Sequence, residues 1–262
     1  MAKITVRTLQ QKKTDGHKFT SLTAYDATQA HWVSNAGIDV ILVGDSLGMV
    51  VQGHASTVPV TLDDMVYHTS AVARGNTDSL LMADMPFMGA ATLERALDGA
   101  HRLMAAGAEM IKLEGAGWLT PTVKALAHNG VPVCVHLGLT PQSVHKFGGF
   151  RVQGKGAAGD QLIADARALV DAGADIILVE CIPSDLAQRL TEAVSVPVIG
   201  IGAGPDVDGQ VLVLYDMLGM NPGENARFVR DFMADTSTPQ AAITAFDQAV
   251  RKGEFPAEEH QF

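Results

Sequence analysis

Two stretches of the chain nearly repeat each other: AAGAEMIKLE at 105–114 and DAGADIILVE at 171–180. In each, a run of small residues closes on Ala-Gly, turns through one or two residues, and enters an apolar run that finishes on Glu. Glycine just past a helix end accepts the left-handed backbone that terminates helices. A continuous apolar run, unlike strict alternation, marks a strand covered on both faces. A helix feeding such a strand, twice over, is the repeating unit of a parallel α/β sheet.

The same unit recurs on both sides of this pair. Strands are predicted at 18–25 (KFTSLTAY), 40–44 (VILVG), 80–84 (LLMAD), 110–114 (MIKLE), 131–136 (VPVCVH), 176–180 (IILVE), 196–202 (VPVIGIG) and 211–216 (VLVLYD). Helices are predicted between them, among them 92–107, with Thr92 as N-cap and Gly107 past the end, and 160–173, with Asp160 and Gly173 in the same roles. The 262 residues match the ~250 that one such barrel needs. The fold reading is therefore α/β: a single (β/α)8 TIM-type barrel over 1–262, with an extra C-terminal helix at 239–254 and a polar tail. An open doubly wound sheet is the alternative architecture.

Composition narrows the function classes. A formal net charge of −10, with no Lys/Arg stripe, argues against nucleic-acid binding, which needs clustered cations. Cys134 and Cys181 lie in apolar runs and read as buried, inert thiols. The N-terminus is polar, and no apolar run reaches membrane-spanning length, so a cytoplasmic location is expected.

The informative polar residues close the apolar runs: Asp26; Asp45 with Ser46; Asp84; Lys112 and Glu114; His136; Glu180. In a barrel the C-terminal strand ends converge on one rim, where the active site is built. Carboxylates crowded there repel, and Lys112 supplies only one positive charge. A divalent cation is the natural second, and the oxygen-only set Asp45, Asp84 and Glu114 suits Mg²⁺ better than zinc. A 2-oxo acid chelated there can lose its α-proton to a base. Glu180, in the apolar setting IILVEC, is the expected base, its pKa raised by desolvation.

Other features read more blandly. GIGAG (200–204) follows a strand and reads either as a phosphate-holding turn, though without the full phosphate-loop spacing, or as close backbone packing at the rim. FGGFRVQGKG (147–156), with Arg151 and Lys155, reads as a surface turn, or else as a lid or a contact for an anionic tail, and 47–59 as a long loop in which His54 makes local hydrogen bonds or touches ligand. His68 and His101 read as structural residues of helices.

The blocks VGDSLGMVVQGHASTVPVTLDDMVYHT, ADMPFM, KLEG, HLGLTPQSV, FGGFRVQGKG, VIGIGAG, DGQVLVLYDMLG and EEHQF occur here in the order found in the 3-methyl-2-oxobutanoate (ketopantoate) hydroxymethyltransferase family. The resemblance runs from about Thr5 to the last residues. It implies a (β/α)8 barrel that uses Mg²⁺ and 5,10-methylenetetrahydrofolate to hydroxymethylate 3-methyl-2-oxobutanoate, the first step towards pantothenate. By matching motif, Asp45 and Asp84 would bind the metal and, with it, the substrate. Glu114 would complete or support that site, and Ser46 and Lys112 would hold the oxo-acid carboxylate. His136 would line the pocket and Glu180 would act as base. Members are commonly homodecamers of two stacked pentamers. One departure is Val135, where a small residue such as Gly is expected before His136. The closest enzymatic alternative is the phosphoenolpyruvate mutase and isocitrate lyase group, whose KKCGH-type loop this sequence lacks. A non-catalytic metabolite-binding barrel is disfavoured because the acids, Lys112 and Glu180 occur together.

Overall fold

Eight short runs, buried along almost their whole length, form the strands of a closed parallel barrel in a computed structural model that describes residues 3–223 and 225–262. They are β1 (Phe19–Thr23), β2 (Val40–Val43), β3 (Leu80–Asp84), β4 (Met110–Glu114), β5 (Val133–Gly138), β6 (Ile176–Glu180), β7 (Val198–Ile201) and β8 (Gly209–Leu212). Each pairs with its neighbour in sequence, and β8 pairs with β1 to close the ring. The open sheet is thereby excluded. Burial on both faces explains the unbroken apolar runs: one face fills the barrel interior, the other meets the helices.

The helices are α1 (Val6–Thr14), α2 (Ala27–Asn35), α3 (Leu47–Val50), α4 (Leu62–Gly75), α5 (Leu93–Ala105), α6 (Thr120–His128), α7 (Val144–Phe147), α8 (Ala157–Asp171), α9 (Ser184–Ala193), α10 (Leu214–Met217) and α11 (Pro239–Arg251). Local chemistry sets several boundaries. Thr92 accepts from Arg95 N to start α5, and Gly107 at φ +114° turns the chain into β4. Asp26, expected among the rim acids, instead caps α2 by accepting from Gln29 N. In α8 the start moves to Ala157, with Gly156 at the cap; Asp160 lies in the first turn and pairs with Arg189.

Three strand boundaries also differ from expectation. β5 begins after Pro132, which has no N–H to give a ladder, and extends to Gly138. β7 is shorter than its apolar run, and residues 202–208, all described, form a helix-free turn. β8 covers 209–212 only; LYDM becomes α10, because a short apolar run does not separate strand from buried helix.

The barrel floor is sealed by ion pairs. Buried Asp39 accepts from Lys12 Nζ at 2.6 Å, Arg251 at 2.8 Å and Thr20 N at 3.1 Å, tying α1 and α11 to the strand starts. Polar clustering at this N-terminal face serves stability; chemistry belongs to the opposite rim.

Candidate active site

The rim of C-terminal strand ends surrounds a cavity of about 360 Å³, within the range of small-ligand sites. Asp45, Ser46, Asp84, Lys112, Glu114, His136 and Glu180, all singled out from the sequence, line it together. Its remaining walls are largely apolar, with Leu42, Leu178, Ile201, Val211 and Val213 among them.

Parallel register places the charged groups side by side, since Asp84 pairs with Lys112 and Glu114 with His136. Lys112 Nζ lies 2.8 Å from Asp84 Oδ1 and 3.9 Å from Glu114 Oε1, and all three side chains are only 4% exposed. Asp84 Oδ2 accepts from Asp45 N at 3.0 Å, which fixes the turn after β2 against β3. Asp84 Oδ1 is buried and, despite the nearby ammonium, has no aligned hydrogen bond. Ser46 Oγ is 2.9 Å from Tyr25 Oη.

Three carboxylates against one ammonium leave two negative charges unbalanced. Burial pushes the Asp45 carboxyl well above its usual range, and repulsion from Asp84 and Glu114 pushes it further. Burial likewise raises Glu114 to about 7, partly opposed by Lys112. Burial alone would lower Lys112, but Asp84, Glu114 and Asp45 outweigh it and its pKa rises. The ammonium therefore stays charged throughout the working range.

His136 is lowered by burial and by Lys112, so its imidazole is neutral near pH 7. Nδ1 sits 3.2 Å from Lys112 Nζ, and an ammonium only donates, so Nδ1 accepts and Nε2 carries the proton. Nε2 faces Glu180 Oε2 at 3.3 Å, off the line of a hydrogen bond. Glu180, with 13% of its side chain exposed, is more open than Asp84, Glu114 or Lys112. Its place depends on Gly138, whose φ is +86° and where a Cβ would sit 2.4 Å from Glu180 O. Gly138→Ala is expected to destabilise the fold by about 1–3 kcal/mol through backbone strain, and to displace Glu180. Thermal melts and turnover measured on the same sample check both effects.

Sequence reasoning missed Gln142. Its Nε2 donates to Asp45 Oδ2 at 2.8 Å and Met85 O at 2.9 Å, while its backbone N donates to Glu114 Oε2 at 2.9 Å. The residue was visible inside HLGLTPQSV, but nothing in an isolated Gln marks it as the clamp between two acids. Asp216, read as a strand end without a role, also lines the cavity. Cys134 and Cys181 are buried and burial pushes both thiols up, as expected of inert cysteines; Cys181 nevertheless lines the pocket, at φ +47°. Val135 is fully buried and absent from the cavity wall, so alternation along β5 directs it to the helix layer.

The remaining candidates stay away from the chemistry. His54, Arg151, Lys155 and His101 are exposed, and His68 Nδ1 is 2.7 Å from Tyr25 O. Phe150 alone of 147–156 reaches the cavity. In GIGAG, a Cβ at Gly200 would meet Val207 at 2.9 Å, which is close packing.

The set fits a divalent cation held by few protein ligands. Among the described residues no three His, Cys, Asp or Glu side chains converge closely enough to chelate an ion unaided. Mg²⁺ commonly takes only one or two carboxylates, with water and substrate oxygens completing the shell. The excess negative charge and the unaligned Asp84 Oδ1 are what such an ion would satisfy. Without a metal, a carboxyl whose folded pKa lies above its unfolded value loses stability as pH rises through the interval between them. For Glu114 that interval runs from 4.5 to about 7. Melting temperature should therefore fall across this window in EDTA, and Mg²⁺ should flatten the fall, because it favours the ionised form. Calorimetry with and without Mg²⁺ checks the slope, and Glu114→Gln should reduce it.

Fold and rim together define a (β/α)8-barrel enzyme with an acid-and-lysine centre at the C-terminal strand ends. The family model described as Ketopantoate hydroxymethyltransferase matches residues 3–258. The 3-methyl-2-oxobutanoate hydroxymethyltransferase of Marinobacter nauticus is 59% identical over 260 residues, covering 99% of this chain and 98% of that protein. The enzyme of the same name from Alcanivorax borkumensis is 58% identical, covering 99% of each. This chain belongs to the ketopantoate hydroxymethyltransferase family.

Among solved structures, phosphonopyruvate hydrolase in complex with oxalate and Mg²⁺ matches with a TM-score of 0.62 and 16% identity, covering 98% of this chain and 99% of that one. The 2,3-dimethylmalate lyase of the PEP mutase/isocitrate lyase superfamily matches with a TM-score of 0.59 and 17% identity, covering 79% and 80%. At these identities the likeness concerns the fold. Among the described residues, no helix is long and apolar enough to cross a membrane.

Proposed function

We propose that the chain transfers a hydroxymethyl group from 5,10-methylenetetrahydrofolate to 3-methyl-2-oxobutanoate, with Mg²⁺ as cofactor, giving ketopantoate for pantothenate synthesis. The observation that carries this reading is the buried, charge-unbalanced cluster of Asp45, Asp84, Glu114 and Lys112 in an otherwise apolar cavity. The names of the full-length relatives supply the substrate.

Asp45 and Asp84 would hold the metal, and Glu114, already engaged by Gln142 N, would support it from behind. When bound, Mg²⁺ supplies Lewis-acid stabilisation of negative charge developing on the keto oxygen. Lys112 and Ser46 hold the substrate carboxylate; the Tyr25 contact fixes the Ser46 rotamer. The branched end of the oxo acid packs on the apolar wall, which excludes water and strengthens each electrostatic contact. Glu180 takes the C3 proton, with the neutral His136 standing beside it, Nε2 at 3.3 Å from its carboxylate. C3 then bonds to the one-carbon unit of the donor, and water supplies the hydroxyl oxygen as tetrahydrofolate departs. The homodecamer and the cytoplasmic location belong to this proposal through the resemblance alone.

The test is loss of the C3–H signal of 3-methyl-2-oxobutanoate in D₂O, followed by NMR without folate. Exchange should require the protein and Mg²⁺, stop on exhaustive chelation and return when Mg²⁺ is restored. Full activity in the chelated protein would remove the metal from the account.

A further inference from the structure

Asp216 is a cavity-lining acid for which the chemistry above has no use. It follows β8, and β8 lies four strands from β4 in the eight-stranded ring, so Asp216 stands across the rim from Lys112 and Glu114. The apolar Ile201 on β7, Val211 on β8 and Val213 just after it lie on the same part of the ring, and Phe228 lines the same cavity. Phe228 is held in place by the turn after β7, since a Cβ at Gly202 would lie 3.0 Å from its ring. Asn221 Nδ2 donates to Asp216 Oδ1; Oδ2 accepts from no described residue. Burial raises the carboxyl to about 6, with Asn221 opposing, so it is ionised and ready to accept at neutral pH. A mostly buried carboxylate on an apolar wall calls for donors from a ligand. The cavity is also larger than a five-carbon oxo acid needs, and Glu180 on β6 sits between its two halves.

We propose that Asp216 is the specificity residue for the second substrate, accepting paired N–H donors from the 2-aminopyrimidin-4-one edge of the pterin while Phe228 packs on its flat face. Such an edge presents an amino and a ring N–H side by side, the geometry that a carboxylate receives in two parallel hydrogen bonds. The pterin's one-carbon unit is thereby directed back towards Glu180 and C3 of the oxo acid. This inference rests on the folate-dependent reading above.

The experiment titrates the full-length protein with Mg²⁺ and oxo acid present, using tetrahydrofolate and an analogue whose 2-amino group is replaced by methyl, by calorimetry. Wild type should bind the analogue about ten- to a hundredfold more weakly, the worth of hydrogen bonds to a charged group. Asp216→Asn should weaken tetrahydrofolate by a similar factor and lose the discrimination, while folate-free C3 exchange, a half-reaction that needs no pterin, continues. The wild-type comparison does not depend on any variant folding. Equal binding of the two ligands by wild type overturns the proposal while leaving the hydroxymethyltransferase reading intact. So does loss of C3 exchange in Asp216→Asn, which would move the residue to the oxo-acid half. If Asn221→Ala, which keeps the carboxylate, reproduces the whole loss, Asp216 is only a loop anchor and the proposal falls. A wild type that exchanges no proton and binds no tetrahydrofolate overturns the functional reading itself.

Discussion

Glu180→Gln should lower C3-proton exchange of 3-methyl-2-oxobutanoate by ~10²–10⁴-fold, the contribution of a positioned general base. The amide keeps the shape and the contact with His136 but cannot take a proton. Binding of the oxo acid and Mg²⁺ should stay within a few fold of wild type, because the groups proposed to hold them lie just after β2 and on β3 and β4. His136 stands between Glu180 and two of these groups, its Nδ1 facing Lys112 and Glu114 and its Nε2 facing Glu180. NMR exchange in D₂O, with oxo-acid affinity from calorimetry, separates the two quantities. Exchange that persists at the wild-type rate would move the base to another group. Loss of binding in parallel would make Glu180 part of the substrate grip instead.

Lys112→Met should be the most destabilising change at the rim. It removes the one ammonium that lines the pocket among the described residues, with Asp84 2.8 Å away and Glu114 3.9 Å away. Breaking a buried pair by deleting one partner typically costs 3–5 kcal/mol, since the orphaned charge remains. At ~2–4 °C per kcal/mol for a chain of this size, the melting temperature should fall by roughly 10 °C. Mg²⁺ should recover part of the loss by replacing positive charge, and low pH should recover more by protonating the acids. Oxo-acid binding should not recover, because no other cation lines that part of the pocket among the described residues. Calorimetric melts at two pH values, each with and without Mg²⁺, test this. An unchanged melting temperature at neutral pH in EDTA would contradict the charge balance on which the site is built.

Much of this site could be read directly from the chain. Strand ends were visible because apolar runs stop abruptly at Asp84, Glu114 and Glu180, and a parallel barrel has one rim for all of them. Seven of the eight residues chosen by that rule meet around one cavity. The rule failed at Asp26, where an acid after a strand was simply capping the next helix, and the separate N-cap reading failed at Asp160, where the helix had already begun. Both are surface choices between equivalent local partners, which a one-dimensional pattern does not rank.

The sequence alone determined the eight-unit repeat, the family and the acid-and-lysine set, because periodicity, turn glycines and strand-end charges are local properties written in order along the chain. Tertiary structure decided what those groups do to one another. Register across the ring brought Lys112 beside Asp84, set the His136 tautomer through contacts on two sides, and drew Gln142 in between Asp45 and Glu114. It also turned LYDM from strand into helix, leaving Asp216 on the cavity wall. Distances between side chains from different strands depend on how the barrel closes, and no single stretch of sequence contains that information.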